Sequence, residues 1–430
     1  MKLPDGPSAE VFWSQRLANP LETLENCAKR YGDIFAVRSP NSPLKVIFSH
    51  PHAVREVFTA EPHLFDAGKS NLNLQPFVGK HSVALLDSTP HRRQRQLLMP
   101  PFHGERMRSY GQLIGDIAEQ VTSEWTDGKQ ICVRSCMQEL TLRIILCAVF
   151  GLEEGSRFQQ LRQLLISGLD SASSAWQGLL TLRQQIDELI YAEIRQRREQ
   201  SDLTSADILT LLLSARDETG ETMTDEELRD ELITLLMAGH ETTAAALSWA
   251  FYWIHHLPEV GDRLLEELKT INGNTDPTEI ARLPYLSAVC QETLRYYPVT
   301  VFTFSRILKL PFELAGYQFE PGTILSPCAY LTHHREDIYP EPKQFKPERF
   351  LDRQFSPYEY YPFGGGNRRC IGMAFALFEM KLILASILTR FQLALANNCA
   401  VKPVLYGVAI SPPQEMPLIA MARRYHAQKS

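Results

Sequence analysis

Phe363-Gly364-Gly365-Gly366-Asn367-Arg368-Arg369-Cys370-Ile371-Gly372 sets a single cysteine in a glycine-rich loop, directly ahead of an apolar, helix-like run. Glycines free such a loop from the ordinary backbone limits. Arginines beside the sulfur and the positive end of a following helix both favour thiolate, so Cys370 is expected to have a lowered pKa. Most free cysteines are small buried hydrophobes, and glycine triplets commonly mark turns. Spacing sets this cysteine apart.

Phe363, Gly366, Arg368, Cys370 and Gly372 stand at the offsets of the cysteine-ligand loop of the cytochrome P450 family, which the chain resembles over nearly its whole length. The resemblance implies a haem-thiolate monooxygenase with haem b as cofactor and Cys370 as the iron ligand. Such a thiolate pushes electron density onto the iron and favours O–O cleavage. Phe363 would cover the sulfur, and Arg368 would meet a haem propionate as a charge-assisted donor. Gly366 and Gly372 would let the backbone pass close beneath the porphyrin.

Residues 232–254 are mostly apolar and about long enough to cross a bilayer. His240, Glu241, Thr242 and Thr243 sit near the centre, where an acid costs about 2.5–3.5 kcal/mol on insertion scales. Thr224-Asp225-Glu226-Glu227 reads as a capping box with an acidic first turn, and Pro258 as a stop. The expectation is a buried helix over residues 225–257, roughly 50 Å long. Its centre, Ala238-Gly239-His240-Glu241-Thr242-Thr243, resembles the family's oxygen-binding turn. That resemblance implies that Ala238 and Gly239 leave room for haem and a diatomic ligand, and that Thr242 and Glu241 serve proton delivery. A threonine at this point can also bond the carbonyl one turn back and bend the helix. His240-Glu241 also begins a zinc-protease HExxH pattern, but Ala244 occupies the second ligand position.

Glu292 and Arg295 lie on a helix ending before Pro298, and alone an i,i+3 pair is weak evidence. With Pro347-Glu348-Arg349-Phe350 placed between it and Cys370, the pair resembles the family's buried ExxR network, joined by Arg349, which holds the cysteine loop. His91, Arg95 and Arg306 occupy positions that the resemblance assigns, with Arg368, to the propionates.

Composition suits a large globular enzyme: 44% hydrophobic, 22% charged and a net charge of −6, which gives no reason to expect nucleic acid. Linkers, repeats and low-complexity tracts are not evident, and the resemblance implies one domain over residues 1–430. The cysteines at 27, 132, 136, 147, 290, 328, 370 and 399 form no disulfide framework. Without a signal peptide or an apolar stretch ahead of the proline-rich start, the expected location is cytoplasmic or peripheral to a membrane, with no transmembrane anchor.

Helix periodicity dominates residues 91–308, with strand-like runs at 34–37, 46–49 and 312–324 and a helix at 373–390. The fold class is mainly α with minor β sheets, and the resemblance adds a long central helix over haem. It also implies a pocket lined by residues 72–86, Leu235, Ala238, Val299, Thr300, Val301 and Phe302, closed by residues 406–409. These are largely apolar, as a lipophilic substrate requires. Residues 95–104 resemble cyanobacterial members linked to fatty acids, alkanes and terpenes. The expected reaction is insertion of one oxygen atom of O2 into a long-chain fatty acid or similar lipid, with terpenoid or alkane hydroxylation as the alternative. Arg38 and Lys45 are candidate carboxylate anchors. A non-catalytic haem sensor also suits a cysteine ligand, but the Glu241–Thr242 pair favours oxygen activation. Electrons are expected from NAD(P)H through a separate ferredoxin- or flavodoxin-type donor, since the chain ends soon after the cysteine loop. Arg92, Arg93, Arg349, Arg353 and Arg369 are candidate contacts for that donor, and a monomer is expected.

Overall fold

The computed structural model describes residues 3–40, 42–104, 106–151, 155–170, 175–199, 207–271, 276–397, 400–407, 409–414 and 416–424. Cys399, expected to be an ordinary free cysteine, lies outside the described residues.

A helix of 32 residues, Asp225–His256, runs through the protein. Its start is set locally. Thr224 Oγ1 accepts from the Glu227 amide, and the Glu227 carboxylate accepts from the Thr224 amide at 2.9 Å, closing the expected capping box. Asp225 and Glu226 add negative charge at the positive end of the dipole. Helices Val133–Phe150, Pro284–Tyr296 and Met373–Arg390 pack against it, which is why it is apolar on most sides. Burial breaks off at its centre: Ala238 is exposed, and Gly239, Glu241 and Thr242 are half-buried.

The sheets are small. Strands Ile34–Val37, Lys45–Phe48, Ile324–Pro327, Arg306–Leu308 and Phe65–Asp66 lie side by side in that order, with Lys45–Phe48 and Ile324–Pro327 parallel. Gln130–Cys132, Pro417–Arg423 and Phe391–Leu395 form a second sheet. Val404–Tyr406 pairs with Ala409–Ser411, and Phe312–Leu314 with Tyr317–Phe319. The protein is mainly α with minor sheets, as its periodicity implies. Among the described residues, no helix is long and apolar enough to cross a membrane.

The pair on helix Pro284–Tyr296 is wholly buried: Glu292 and Arg295 both have 0% exposure. Two parallel bonds join them at 2.7 and 2.8 Å. Arg295 spends its remaining donors on the carbonyls of His333 and Pro342, at 2.8 and 3.0 Å, and of Gln344 at 3.3 Å. Glu292 also accepts from the Lys346 amide at 2.7 Å. Arg349 joins as expected, its Nε 3.4 Å from Glu292. That approach is ionic only, because the N–H is not aimed for a hydrogen bond.

Removing one partner leaves an uncompensated buried charge. Glu292→Ala is therefore expected to lower unfolding free energy by about 3–5 kcal/mol, measured by urea denaturation with the slope unchanged. A loss below about 1 kcal/mol would show that the pair does not hold the fold.

Candidate active site

Cys370 lies between the short turn Gly366–Arg368 and the N-terminus of helix Met373–Arg390, its amide bonded to the Phe363 carbonyl at 2.9 Å. The loop is pressed onto Phe58. Gly366 takes φ of 62°, and a Cβ there would stand 2.5 Å from the Phe58 carbonyl oxygen. At Gly365 a Cβ would reach 2.1 Å from the Phe58 ring. Glycine at 366 is thus demanded by the N-terminal helix Pro51–Thr59 beneath the loop, a cause different from the close passage under porphyrin expected of it. Gly372 has an ordinary φ of −82° and a Cβ there would meet nothing within 4 Å, so the protein itself sets no steric demand at that position.

The expected low pKa of Cys370 is overturned. Burial pushes the thiol up, and the Gly372 amide, Arg95 and Arg369 pull it down by less. Yet solvent reaches Cys370, which is exposed. Cys370 is thus both open to solvent and surrounded by enough protein to disfavour its charged form.

Beside it, His91, Arg306 and Arg368 gather around Asp87, and Arg95 acts on His91, Arg368 and Cys370. His91 and Arg95 come from helix Ser88–Leu98, and Arg306 from the first residue of its strand. Burial lowers Arg306 to about 9 and Arg368 to about 10. Burial, then Arg368 and Arg95, holds His91 down at about 3, so its ring is neutral at pH 7. Asp87 is shared: it takes an Arg368 N–H while accepting from the amides of Ala67, Gly68 and Lys69 at 2.8, 2.9 and 3.1 Å. The cluster therefore holds three guanidiniums and one carboxylate, which faces two of them, and the buried Nε of Arg368 has no hydrogen-bond partner among the described residues. An excess of two positive charges with an orphaned donor, next to a reachable cysteine, matches what the two propionates and the iron of a haem require. These residues fit the group.

On the central helix, Thr242 Oγ1 donates to the Ala238 carbonyl at 2.6 Å, the back-bond anticipated one turn away. Ala238 presents the exposed surface. At Gly239 a Cβ would come 2.8 Å from Ile145 Cδ1, so its smallness also lets helix Val133–Phe150 approach. His240 is buried with Nδ1 3.0 Å from Thr141 Oγ1, and burial lowers it to about 4. It is a neutral packing histidine, which disposes of the zinc-protease reading.

Glu241 is clamped. Arg134 forms an ion pair with one oxygen, and Gln138 donates to the other at 2.9 Å. Arg134 also donates to Ser411 Oγ at 2.6 Å and to Gln414 Oε1 at 3.1 Å, and lies 4.0 Å from the Tyr406 ring centroid. Sequence reasoning missed Arg134, Gln138 and Asp87. Arg134 shares its helix with Glu139 and Arg143, so no local pattern singled it out.

Among the pocket candidates, Val299 and Val301 are buried, and Leu235, Thr300 and Phe302 are half-buried. Thr300 pairs with Ala409, Phe302 pairs with Cys328, and the Ile410 amide donates to the Val299 carbonyl at 2.8 Å. The segment therefore lies against the C-terminal hairpin; Val408 of that hairpin lies outside the described residues. Leu72 is exposed. Of the five arginines considered for an electron donor, Arg93 is engaged with Asp217 and Glu227 at 2.6 and 2.8 Å, Arg349 with Glu292, and Arg353 with Glu359 at 3.1 Å. Arg92 and Arg369 remain exposed without a carboxylate partner among the described residues.

Comparisons with known proteins agree with this geometry. A family model described as cytochrome P450 matches residues 6–418. Cytochrome P450 135B1 of Mycobacterium tuberculosis is 36% identical over 429 residues, covering 96% of this chain and 90% of the relative. Cytochrome P450 135A1 of the same species is 37% identical over 385 residues, covering 86% and 83%. A solved structure of the cyanobacterial CYP120A1 with retinoic acid bound superimposes with a TM-score of 0.85 at 25% identity, covering 97% of this chain and 99% of that one. The P450DA haem domain superimposes with a TM-score of 0.85 at 24% identity, covering 98% of each chain, a likeness of fold.

Proposed function

The chain belongs to the cytochrome P450 family, and from that premise we propose that it hydroxylates a long-chain fatty acid or comparable lipid on an unactivated carbon. As a member it is a haem monooxygenase, an oxidoreductase using haem b, O2 and electrons from NAD(P)H delivered by redox partners. Bound haem supplies the reductive activation of O2 and the transfer of one oxygen atom to carbon. The observation that carries the reading is the solvent-reachable Cys370 beside guanidiniums with two uncompensated charges.

In this reading Cys370 ligates the iron, and Arg95, Arg306 and Arg368 hold the propionates with neutral His91 packed among them. Phe363 and Gly366 shape the loop, and Ala238 faces the cofactor from the central helix. Glu292, Arg295 and Arg349 hold the loop without touching it. Thr242 keeps its proton on the Ala238 carbonyl, and turning away from that carbonyl frees the hydroxyl to donate elsewhere. Glu241 holds its carboxylate between Arg134 and Gln138, so a proton passing through Glu241 requires Arg134 to give way.

The apolar residues Leu235, Val299, Val301 and Phe302 support a lipophilic substrate. The retinoic acid in the similar cyanobacterial structure, itself an apolar acid, supports a lipid acid over an alkane or a neutral terpenoid. The proposed electron donor is ferredoxin- or flavodoxin-type and acidic, meeting the exposed Arg92 and Arg369. A cytoplasmic monomer completes the proposal.

Cys370→Ala is expected to lose the thiolate-type absorption of the reduced carbon-monoxide complex, and Cys132→Ser to retain it. An unchanged spectrum in the first variant would remove Cys370 from the iron. Thr242→Ala is expected to bind haem and substrate as the parent does but to yield less product and more hydrogen peroxide per NAD(P)H consumed; equal coupling contradicts the proton role. Product analysis with matched fatty acids, alcohols, alkanes and terpenes tests the substrate class, and turnover confined to terpenes would overturn the fatty-acid reading.

A further inference from the structure

Two cations share one aromatic ring without an acid to answer them. Arg16, on helix Ala9–Ala18, places its guanidinium carbon 4.8 Å from the Phe302 ring centroid, and Lys45, at the start of strand Lys45–Phe48, places Nζ 5.2 Å from it. Both also stand over Trp13, at 5.4 and 5.2 Å. Among the described residues neither has an ion-pair or hydrogen-bond partner, and the Nε of Arg16 is buried and unpaired. Other half-buried cations are treated differently: Arg93 meets Asp217 and Glu227, and Arg335 meets Asp33 and Asp337.

Aromatic rings offset part of the cost of bringing like charges together. They do not satisfy a buried N–H. The tension shows in the titration of Lys45, which burial, and then Arg16, lower to about 8. Cys328 lies close enough to act on both, but burial raises its thiol to about 12, so it brings no negative charge. Arg38 does not help, because its guanidinium is taken by the Pro4 carbonyl.

The pair stands at one end of a path to the cysteine. Phe302 follows Val299 and Val301, which are buried. Thr303, the next residue, lies beside Gly364, whose added Cβ would be 3.7 Å from the Thr303 Cβ. Arg306, four residues on, reaches the Gly365 carbonyl at 3.5 Å. The segment that carries Phe302 therefore borders the cysteine loop.

We propose that Arg16 and Lys45 form a carboxylate-binding site that anchors the head group of an apolar acid while its chain runs along residues 299–302 toward Cys370. The assignment rests on the lipophilic substrate proposed above, and it names an anionic end for that substrate. Arg16 supplies an unpaired N–H, Lys45 a second charge, and Phe302 and Trp13 the apolar walls that strengthen both in a partly desolvated setting.

The test is calorimetric binding to the haem-loaded protein, with dodecanoate and 1-dodecanol as probes. The parent is expected to bind the acid about tenfold to a hundredfold more tightly than the alcohol, as charge-assisted hydrogen bonds imply. Arg16→Gln and Lys45→Gln should each weaken dodecanoate about tenfold and leave 1-dodecanol unchanged, and Lys45→Arg should keep the preference. Equal weakening of acid and alcohol would overturn the anchor in favour of a packing role. A parent that binds both probes alike would overturn the anchor and leave the lipid substrate standing. A parent that binds neither would overturn both.

Discussion

A carboxylate and a guanidinium with no exposed surface persist only if their donors and acceptors are met, and the Glu292–Arg295 pair meets them by seizing the chain that leads to the cysteine. Arg295 holds the His333 carbonyl at 2.8 Å. Burial and Arg295 keep the His333 ring neutral, near 3, so its Nε2 can accept from the Tyr361 amide at 3.0 Å. The Tyr361 ring meets Phe58 edge-on at 5.4 Å, and Phe58 is the residue against which Gly365 and Gly366 are pressed. The position of Cys370 is thus inherited, contact by contact, from a pair that never touches it.

Much of this frame is legible in the chain because it is local or carried by fixed offsets. The capping box at Thr224, the back-bonding Thr242 and the helix Met373–Arg390 each follow from a few neighbouring residues. Long-range side-chain pairings leave no such trace. Arg134 and Glu241 lie 107 residues apart, and Asp87 and Arg368 281 apart, with no periodicity to join them. Asp87 precedes helix Ser88–Leu98 at the capping position, yet its carboxylate serves the amides of residues 67–69 instead. The surface reading of Arg93 failed for the same reason, since its acids come from residues 217 and 227.

The titration of Cys370 shows where counting neighbours misleads. Two arginines and an amide favour thiolate, and each is visible or inferable in the sequence. Desolvation depends on how much of the fold closes around the sulfur, which no local pattern records, and here it outweighs them. The guanidinium cluster repeats the lesson with the opposite charge. Arg306 and Arg368 are lowered by burial because the fold gathers cations faster than it supplies acids. Both departures point to the same place, a site whose polar groups are arranged for something other than each other.

The clamp on Glu241 ties the central helix to the C-terminal region. Arg134 holds Glu241 beside Thr242 and, with its other nitrogens, Ser411 and Gln414 of the C-terminal region. The hairpin carrying Ser411 is itself bonded to the segment 299–302, through Thr300 with Ala409 and Val299 with Ile410. One arginine therefore joins Glu241 to the hairpin that pairs with the segment 299–302. Opening a largely buried ion pair without a replacement partner costs about 3–5 kcal/mol, so fluctuation alone opens it in fewer than about one molecule in a hundred. A shift of the hairpin that moves Ser411 and Gln414 changes what Arg134 has left to bind, and with it the cost of freeing Glu241. In this arrangement the segment 299–302 and the Glu241 carboxylate are linked through the C-terminal hairpin and Arg134.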